Sequence, residues 1–270
     1  MKTLILSGYG TNCEDETAYA CRKTGGGPVE VRHMSDLYTG GISLDGIHLI
    51  VFGGGFLDGD DLGSGRAASN RFRWRPMPQG TTFLEELEGF IRSGRLVLAI
   101  CNGFQLLVKL GLLPGTSSET IQTVSLAPNG RGRFEDRWVR LKADPQSPCV
   151  FTRGVDQLDL PVRHGEGRLA ARQGDLIPSL VTNGLAPLRY CDGDGNPTED
   201  YPQNPNGSPL GVAALCNPAG TVMGLMPHPE AFNHYTNHPQ WTRLSKTGEN
   251  GDGLVLFDNA YRHLKEHFQE

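Results

Sequence analysis

The segment Leu-Val-Leu-Ala-Ile-Cys at 96–101 constrains this chain more than any other part of it. Five consecutive apolar residues leave no polar face. The segment therefore suits the middle of a parallel sheet covered on both sides, not a strand with one wet face. It ends on a cysteine, with small residues two places before (Ala99) and two places after (Gly103). That spacing belongs to a nucleophile elbow, where a tight strand-to-helix turn lifts a reactive side chain above the sheet. A cysteine closing a core strand is most often simply buried; the elbow spacing gives Cys101 a second meaning. The pattern predicts a helix over 103–110, ended by Gly111. Its amino end faces Cys101, which favours a thiolate and offers amides to an oxyanion.

The flanking sequence supplies the rest of such a sheet. Strands are expected at 3–7, 29–34 and 47–52. Thr11 and Glu14 have capping-box spacing before a helix reaching about residue 24, and Thr82 and Glu85 repeat it before Phe83, Leu84, Leu87, Phe90 and Ile91 at helical spacing. This alternation implies a doubly wound, mostly parallel α/β sheet with flanking helices and right-handed crossovers. The second half is richer in Gly and Pro, with strands expected at 184–190, 211–215 and 221–226. It reads as an additional strand-rich region. A closing helix carries Phe257, Tyr261, Leu264 and Phe268, and nothing divides residues 1–270 into more than one domain.

Composition removes several functions. The net charge of −5 argues against a protein built to bind nucleic-acid backbone. The first residues hold too short an apolar stretch for a signal peptide, and no run approaches a membrane span. A soluble, cytoplasmic protein is expected. None of the six cysteines has C-x-x-C spacing, which disfavours a disulfide framework or zinc cluster. A cysteine that matters here should matter as a thiol.

A thiolate nucleophile needs a base, and the base needs an orienting group. Met226-Pro227-His228-Pro229-Glu230 offers both. Prolines on either side of His228 should hold the segment extended, so that residues 228 and 230 point the same way. Gly53-Gly54-Gly55 ends the strand at 47–52 beside the elbow, where a glycine amide can complete an oxyanion hole. No Gly-Lys-Ser/Thr follows, so a phosphate cradle is disfavoured. Asp192-Gly193-Asp194-Gly195-Asn196 begins like a calcium loop, but Pro197 and Gln203 break the pattern and leave a turn. His234 and His238 lack a nearby carboxylate ligand, so no metal is expected. The stretch 64–82 carries Arg66, Arg71, Arg73 and Arg75 with no acid between Asp61 and Glu85. It reads as a solvated loop, with a docking surface for an acidic partner as the alternative.

Taken together these segments are recognisable. The chain resembles the glutamine amidotransferase subunit or domain of phosphoribosylformylglycinamidine synthase. The likeness runs through Gly10-Thr11-Asn12-Cys13, the stretch from Gly54 to Asp60, Cys101-Asn102-Gly103-Phe104-Gln105 and His164-Gly165-Glu166-Gly167-Arg168. It continues through Tyr201-Pro202, Asn204-Pro205-Asn206-Gly207-Ser208 and Pro227-His228-Pro229-Glu230. Two departures stand out: Ala99, where such enzymes often carry glycine, and the unusual stretch 64–82.

The resemblance implies Cys101 as nucleophile, His228 as base and Glu230 as its partner. It implies Gly55 and Asn102 as oxyanion amides, and Gln105, Gly207 and Ser208 as holders of the backbone end of L-glutamine. It further implies that ammonia passes to formylglycinamide ribonucleotide (FGAR), whose ATP-dependent amidation gives formylglycinamidine ribonucleotide (FGAM) in purine biosynthesis. No ATP motif is visible in this chain. ATP and Mg are therefore expected on a separate synthetase subunit, with a small accessory subunit as a further partner. Two other readings compete: a different cysteine hydrolase of the same architecture, and a catalytically silent regulatory subunit.

Overall fold

The computed structural model describes residues 1–117, 119–243 and 248–268. The chain runs β1 (Lys2–Ser7), α1 (Glu14–Lys23), β2 (Val29–His33), β3 (Ile47–Phe52), α2 (Arg66–Trp74), α3 (Phe83–Arg92), β4 (Leu96–Ile100) and α4 (Asn102–Leu110). A strand-rich middle follows: β5 (Val124–Pro128), β6 (Glu135–Ala143), β7 (Gln157–His164), β8 (Glu166–Ala171), α5 (Leu176–Thr182) and β9 (Leu188–Tyr190). The chain then adds β10 (Ala214–Cys216), β11 (Val222–Leu225) and α6 (Leu254–His267).

The central sheet has the order β10-β11-β4-β3-β1-β2, and every pairing but β10 with β11 is parallel. All five residues of β4 are fully buried, as an apolar run with no polar face requires. Its neighbours are β3 on one side and β11 on the other. The carboxyl ends of β3, β4 and β11 therefore deliver Gly53, Cys101 and Met226 to one edge of the sheet, where open α/β sheets place their sites. Beside it stand a β5–β8 ribbon and an antiparallel sheet, β7-β6-β9. His164 ends β7 and Glu166 begins β8, so this second layer reaches the same edge.

Several local expectations need correction. Thr11 hydrogen-bonds Glu14, but α1 begins at Glu14 itself and its N-cap is Cys13, so the pair pins a turn and is not a capping box. Thr82 and Glu85 do form one. The strands expected at 184–190 and 211–215 begin later, as β9 and β10: Gly184 lies in the turn after α5, residues 185–187 are irregular, and Gly211 closes a 3₁₀ turn.

The largest revision concerns the arginine-bearing stretch, which is not a solvated loop. Residues 66–74 form α2, with Ala68, Ser69 and Phe72 buried and the Phe72 ring edge-on to Phe83 at 4.6 Å. Arg71 pairs with Asp58 at 2.6 Å, and Arg73 donates to the Leu110 carbonyl at 2.6 Å. The Arg75 guanidinium lies 4.2 Å over the Tyr38 ring. Three of the four arginines thus fasten this insertion to its own fold. Reversing their charge would loosen the fold, so a docking role cannot be read from it.

Candidate active site

Cys101 occupies the bend between β4 and α4 with φ 52° and ψ −105°, a conformation that costs a non-glycine residue about 1–3 kcal/mol. Two features hold it there. The Cys101 N–H donates to the Leu225 carbonyl at 2.8 Å, locking the bend to β11. A Cβ at Gly103 would stand 2.4 Å from the Phe52 carbonyl oxygen, so only glycine lets α4 lie this close to β3. Ala99, facing Phe52 and Gly224 across the sheet, fits without a glycine.

His228 follows β11, and its N–H donates to the Pro161 carbonyl at 2.8 Å. Its Nδ1 hydrogen-bonds Glu230 Oε1 at 2.6 Å, with both side chains almost wholly buried. The expected pairing is present, but not through an extended segment. Pro229–Ala231 form a short 3₁₀ turn, which folds Glu230 back under the imidazole. Burial alone would push the His228 pKa down. The Glu230 carboxylate and the charge on Cys101 outweigh that effect and hold it well above its ordinary value. The His228 Nε2 is buried and has no hydrogen-bond partner among the described residues.

The Gly53–Gly55 turn closes over this pair. A Cβ at Gly54 would stand 2.8 Å from His228 Cε1 and 3.4 Å from Cys101 Cβ. Gly54→Ala is therefore expected to displace the imidazole and cost about 100-fold in kcat at unchanged melting temperature. Steady-state glutamine hydrolysis beside a thermal scan checks this. Gly55 has φ 132° and faces Thr11 across an isolated bridge. That bridge uses the Asn12 and Phe56 N–H groups. Asn102 is the first residue of α4, where helix geometry leaves amides unpaired. Gly55 lines the same cavity as Cys101, and Asn102 follows Cys101 directly in the chain.

The three residues expected to hold glutamine are placed differently. Gln105 lines the cavity of about 200 Å³ that contains Cys101, together with Gly55, Asp60, Ser64, His164 and Glu166. Both ends of its amide are occupied: Nε2 donates to the Glu166 carbonyl at 2.6 Å, and Oε1 accepts from Asn102 Nδ2 at 2.9 Å. Gly207 and Ser208 do not line this cavity. Ser208 is fully buried, accepting from Leu169 N and donating toward Asn206, and it ties the 204–208 loop to β8.

Other residues arrive that carried no role in the sequence. Cys13 Sγ lies 3.9 Å from His228 Nδ1, behind the base. Burial raises its pKa and keeps it a thiol. Cys13, His228 and Glu230 are close enough to ligate a soft cation, which would remove the base from use. His164 is pushed down to about 3 by burial and by the charge of His228, so it is neutral at working pH. Asp60 and Glu166 stand in the same cavity. The signal for all four was their place inside the segments that carried the resemblance. The largest cavity described, about 760 Å³ around Lys23, Asp156 and Asp258, contains none of these groups. Among the described residues, no helix is long and apolar enough to cross a membrane.

A strained cysteine at the edge of a parallel sheet, faced by a histidine that a carboxylate orients, defines a cysteine hydrolase of the triad glutamine amidotransferase class. Residues 1–264 match the family described as the CobB/CobQ-like glutamine amidotransferase domain, and the chain belongs to that family. It is 40% identical over 266 residues to "Phosphoribosylformylglycinamidine synthase subunit PurQ" of Dehalococcoides mccartyi, covering 98% of each chain. Its identity to the PurQ subunit of Methanococcus maripaludis is 40% over 257 residues, 94% of this chain and 90% of the relative. Among solved structures it matches PurLQS of Thermotoga maritima with a TM-score of 0.70 and 25% identity, covering 98% of this chain and 99% of the other. A glutamine amidotransferase of the same organism aligns with a TM-score of 0.50 at 15% identity, covering 98% and 92%, and shows the shared fold.

Proposed function

We propose that this chain is the glutaminase subunit of phosphoribosylformylglycinamidine synthase. The observation that carries this is the Cys101 elbow set against the buried His228–Glu230 pair, in a chain that aligns end to end with PurQ subunits. Cys101 attacks the side-chain amide of L-glutamine, and the oxyanion forms beside the Gly55 and Asn102 amides. The His228 imidazolium gives its proton to the departing nitrogen, leaving a glutamyl thioester on Cys101. Water, deprotonated by His228, then releases glutamate. The ammonia serves the ATP-dependent conversion of FGAR to FGAM on the synthetase subunit, in the cytoplasm. ATP and Mg act on that chain. A small accessory subunit would complete the assembly.

A different cysteine hydrolase would turn over esters or peptides instead. Glutamate release from glutamine, set against a panel of esters and peptides, separates the two. We expect glutamine alone to react, slowly for the isolated subunit and faster once the synthetase with its nucleotide and substrate is added. Loop closure over the oxyanion donors in the complex would produce that rise. Ester hydrolysis exceeding glutamine hydrolysis in both states would reject the proposal.

A further inference from the structure

The cavity that holds Cys101 contains two carboxylates that the mechanism above does not use. Ser64 Oγ lies 3.2 Å from Asp60 Oδ2 and 2.9 Å from Glu166 Oε2. A hydroxyl has one proton, so it donates to only one of them at a time. Asp60 also accepts from Asn102 Nδ2 at 3.1 Å, and Asn102 is itself fixed by the Leu57 N–H at 2.9 Å. Gln105 holds the Glu166 backbone. These bonds, with one from the Gly65 backbone to Asp60, fix the positions of both acids, and every donor in them is neutral.

Neither acid forms an ion pair among the described residues. Lys109 feels the charge of both, yet makes no ion pair with either. Burial holds the Asp60 carboxyl above its ordinary value against the bonds from Asn102, Ser64 and the Gly65 backbone, and the charge of Glu166 adds a smaller push the same way. A group with several N–H donors and a positive charge would satisfy this arrangement, and an ammonium has three donors. At about 200 Å³ the cavity is smaller than the roughly 300–1,000 Å³ of drug-sized ligand sites, so its occupant is a small molecule.

We propose that Asp60 and Glu166 bind the α-ammonium of the substrate, and that Glu166 sets the preference for an α-amino acid over a simple amide. This rests on the glutaminase reading. It places the carboxamide at Cys101 and the amino group at the acidic end of one cavity. It also recasts Gln105 as a brace that positions Glu166.

The test compares L-glutamine with 4-carbamoylbutanoate, the same molecule without its amino group, in the complex with the synthetase. Glu166→Gln is expected to raise KM for glutamine roughly 10- to 100-fold, the value of one hydrogen bond to a charged group, with kcat nearly unchanged. The kcat/KM for 4-carbamoylbutanoate should not change, so selectivity for glutamine collapses. Glu166→Asp, which keeps the charge, should restore much of that selectivity. Asp60→Asn should act in the same direction and also lower kcat, because Asp60 holds Asn102. Equal losses on both substrates in Glu166→Gln would make Glu166 merely structural and overturn the proposal, as would unaltered selectivity. Failure of the wild-type complex to hydrolyse glutamine would instead reject the glutaminase reading beneath it.

Discussion

Cys101→Ala should lower glutamine hydrolysis by about 10⁶-fold, to the background that binding and the oxyanion site provide without a nucleophile. The reason is chemical. The thioester forms only if a thiolate stands at the elbow, and Cys13, the other thiol near His228, lies on its Nδ1 side, away from Nε2, which has no hydrogen-bond partner among the described residues. Cys13 is also held as a thiol by burial. The loss should therefore not be rescued from within the site. Removing the side chain also relieves none of the backbone strain at φ 52°, since alanine has the same Cβ. The variant should keep its fold, checked by circular dichroism and thermal unfolding.

The second large effect concerns the base. His228→Ala should lower kcat by roughly 10⁴–10⁶-fold, and Glu230→Gln by less, about 10²–10⁴-fold, because an amide still contacts Nδ1 but no longer stabilises the imidazolium. The pH dependence carries a sign. Glu230 and Cys101 hold the His228 pKa up, so the imidazolium that protonates departing ammonia persists above the ordinary histidine range. The alkaline limb of kcat/KM should report the loss of that proton. In Glu230→Gln the neutral partner gives up part of the elevation, and the limb should move to lower pH. A limb that stayed in place or moved upward would remove Glu230 from its role.

Much of this site was legible because its determinants are local. The apolar run of β4, the small residues about Cys101 and the His228-Pro229-Glu230 segment each encode their geometry within a few residues. The Thr82–Glu85 capping box is equally local. The middle of the chain was not. Pro161 sits inside β7, where proline ordinarily argues against a strand. β7 is an edge of its sheet, which tolerates the missing donor, and the Pro161 carbonyl is free to anchor His228. Val139, Leu141 and Ala143 of β6 do alternate at strand period, a signal that was available. α2 hides its buried face because only Ala68, Ser69 and Phe72 form it, between arginines that look solvated in sequence. The meeting of Asp60 with Glu166 depends on how the second layer packs on the sheet edge, so no local pattern announces it. Gln105, Gly207 and Ser208 illustrate the converse. Their motif positions are plain in sequence, while the bonds that occupy Gln105 and Ser208 appear only in three dimensions.

The division of labour between chains is tested most directly by one reconstitution. The subunit, wild type or Cys101→Ala, is combined with the synthetase, ATP, Mg and FGAR, and FGAM formation is followed from glutamine and, separately, from ammonium chloride. Wild type should use both nitrogen sources. Cys101→Ala should lose synthesis from glutamine and retain the wild-type rate from ammonium, because only ammonia release depends on this chain. Loss of both activities in a folded, complex-forming Cys101→Ala subunit, or undiminished synthesis from glutamine, would contradict the assignment.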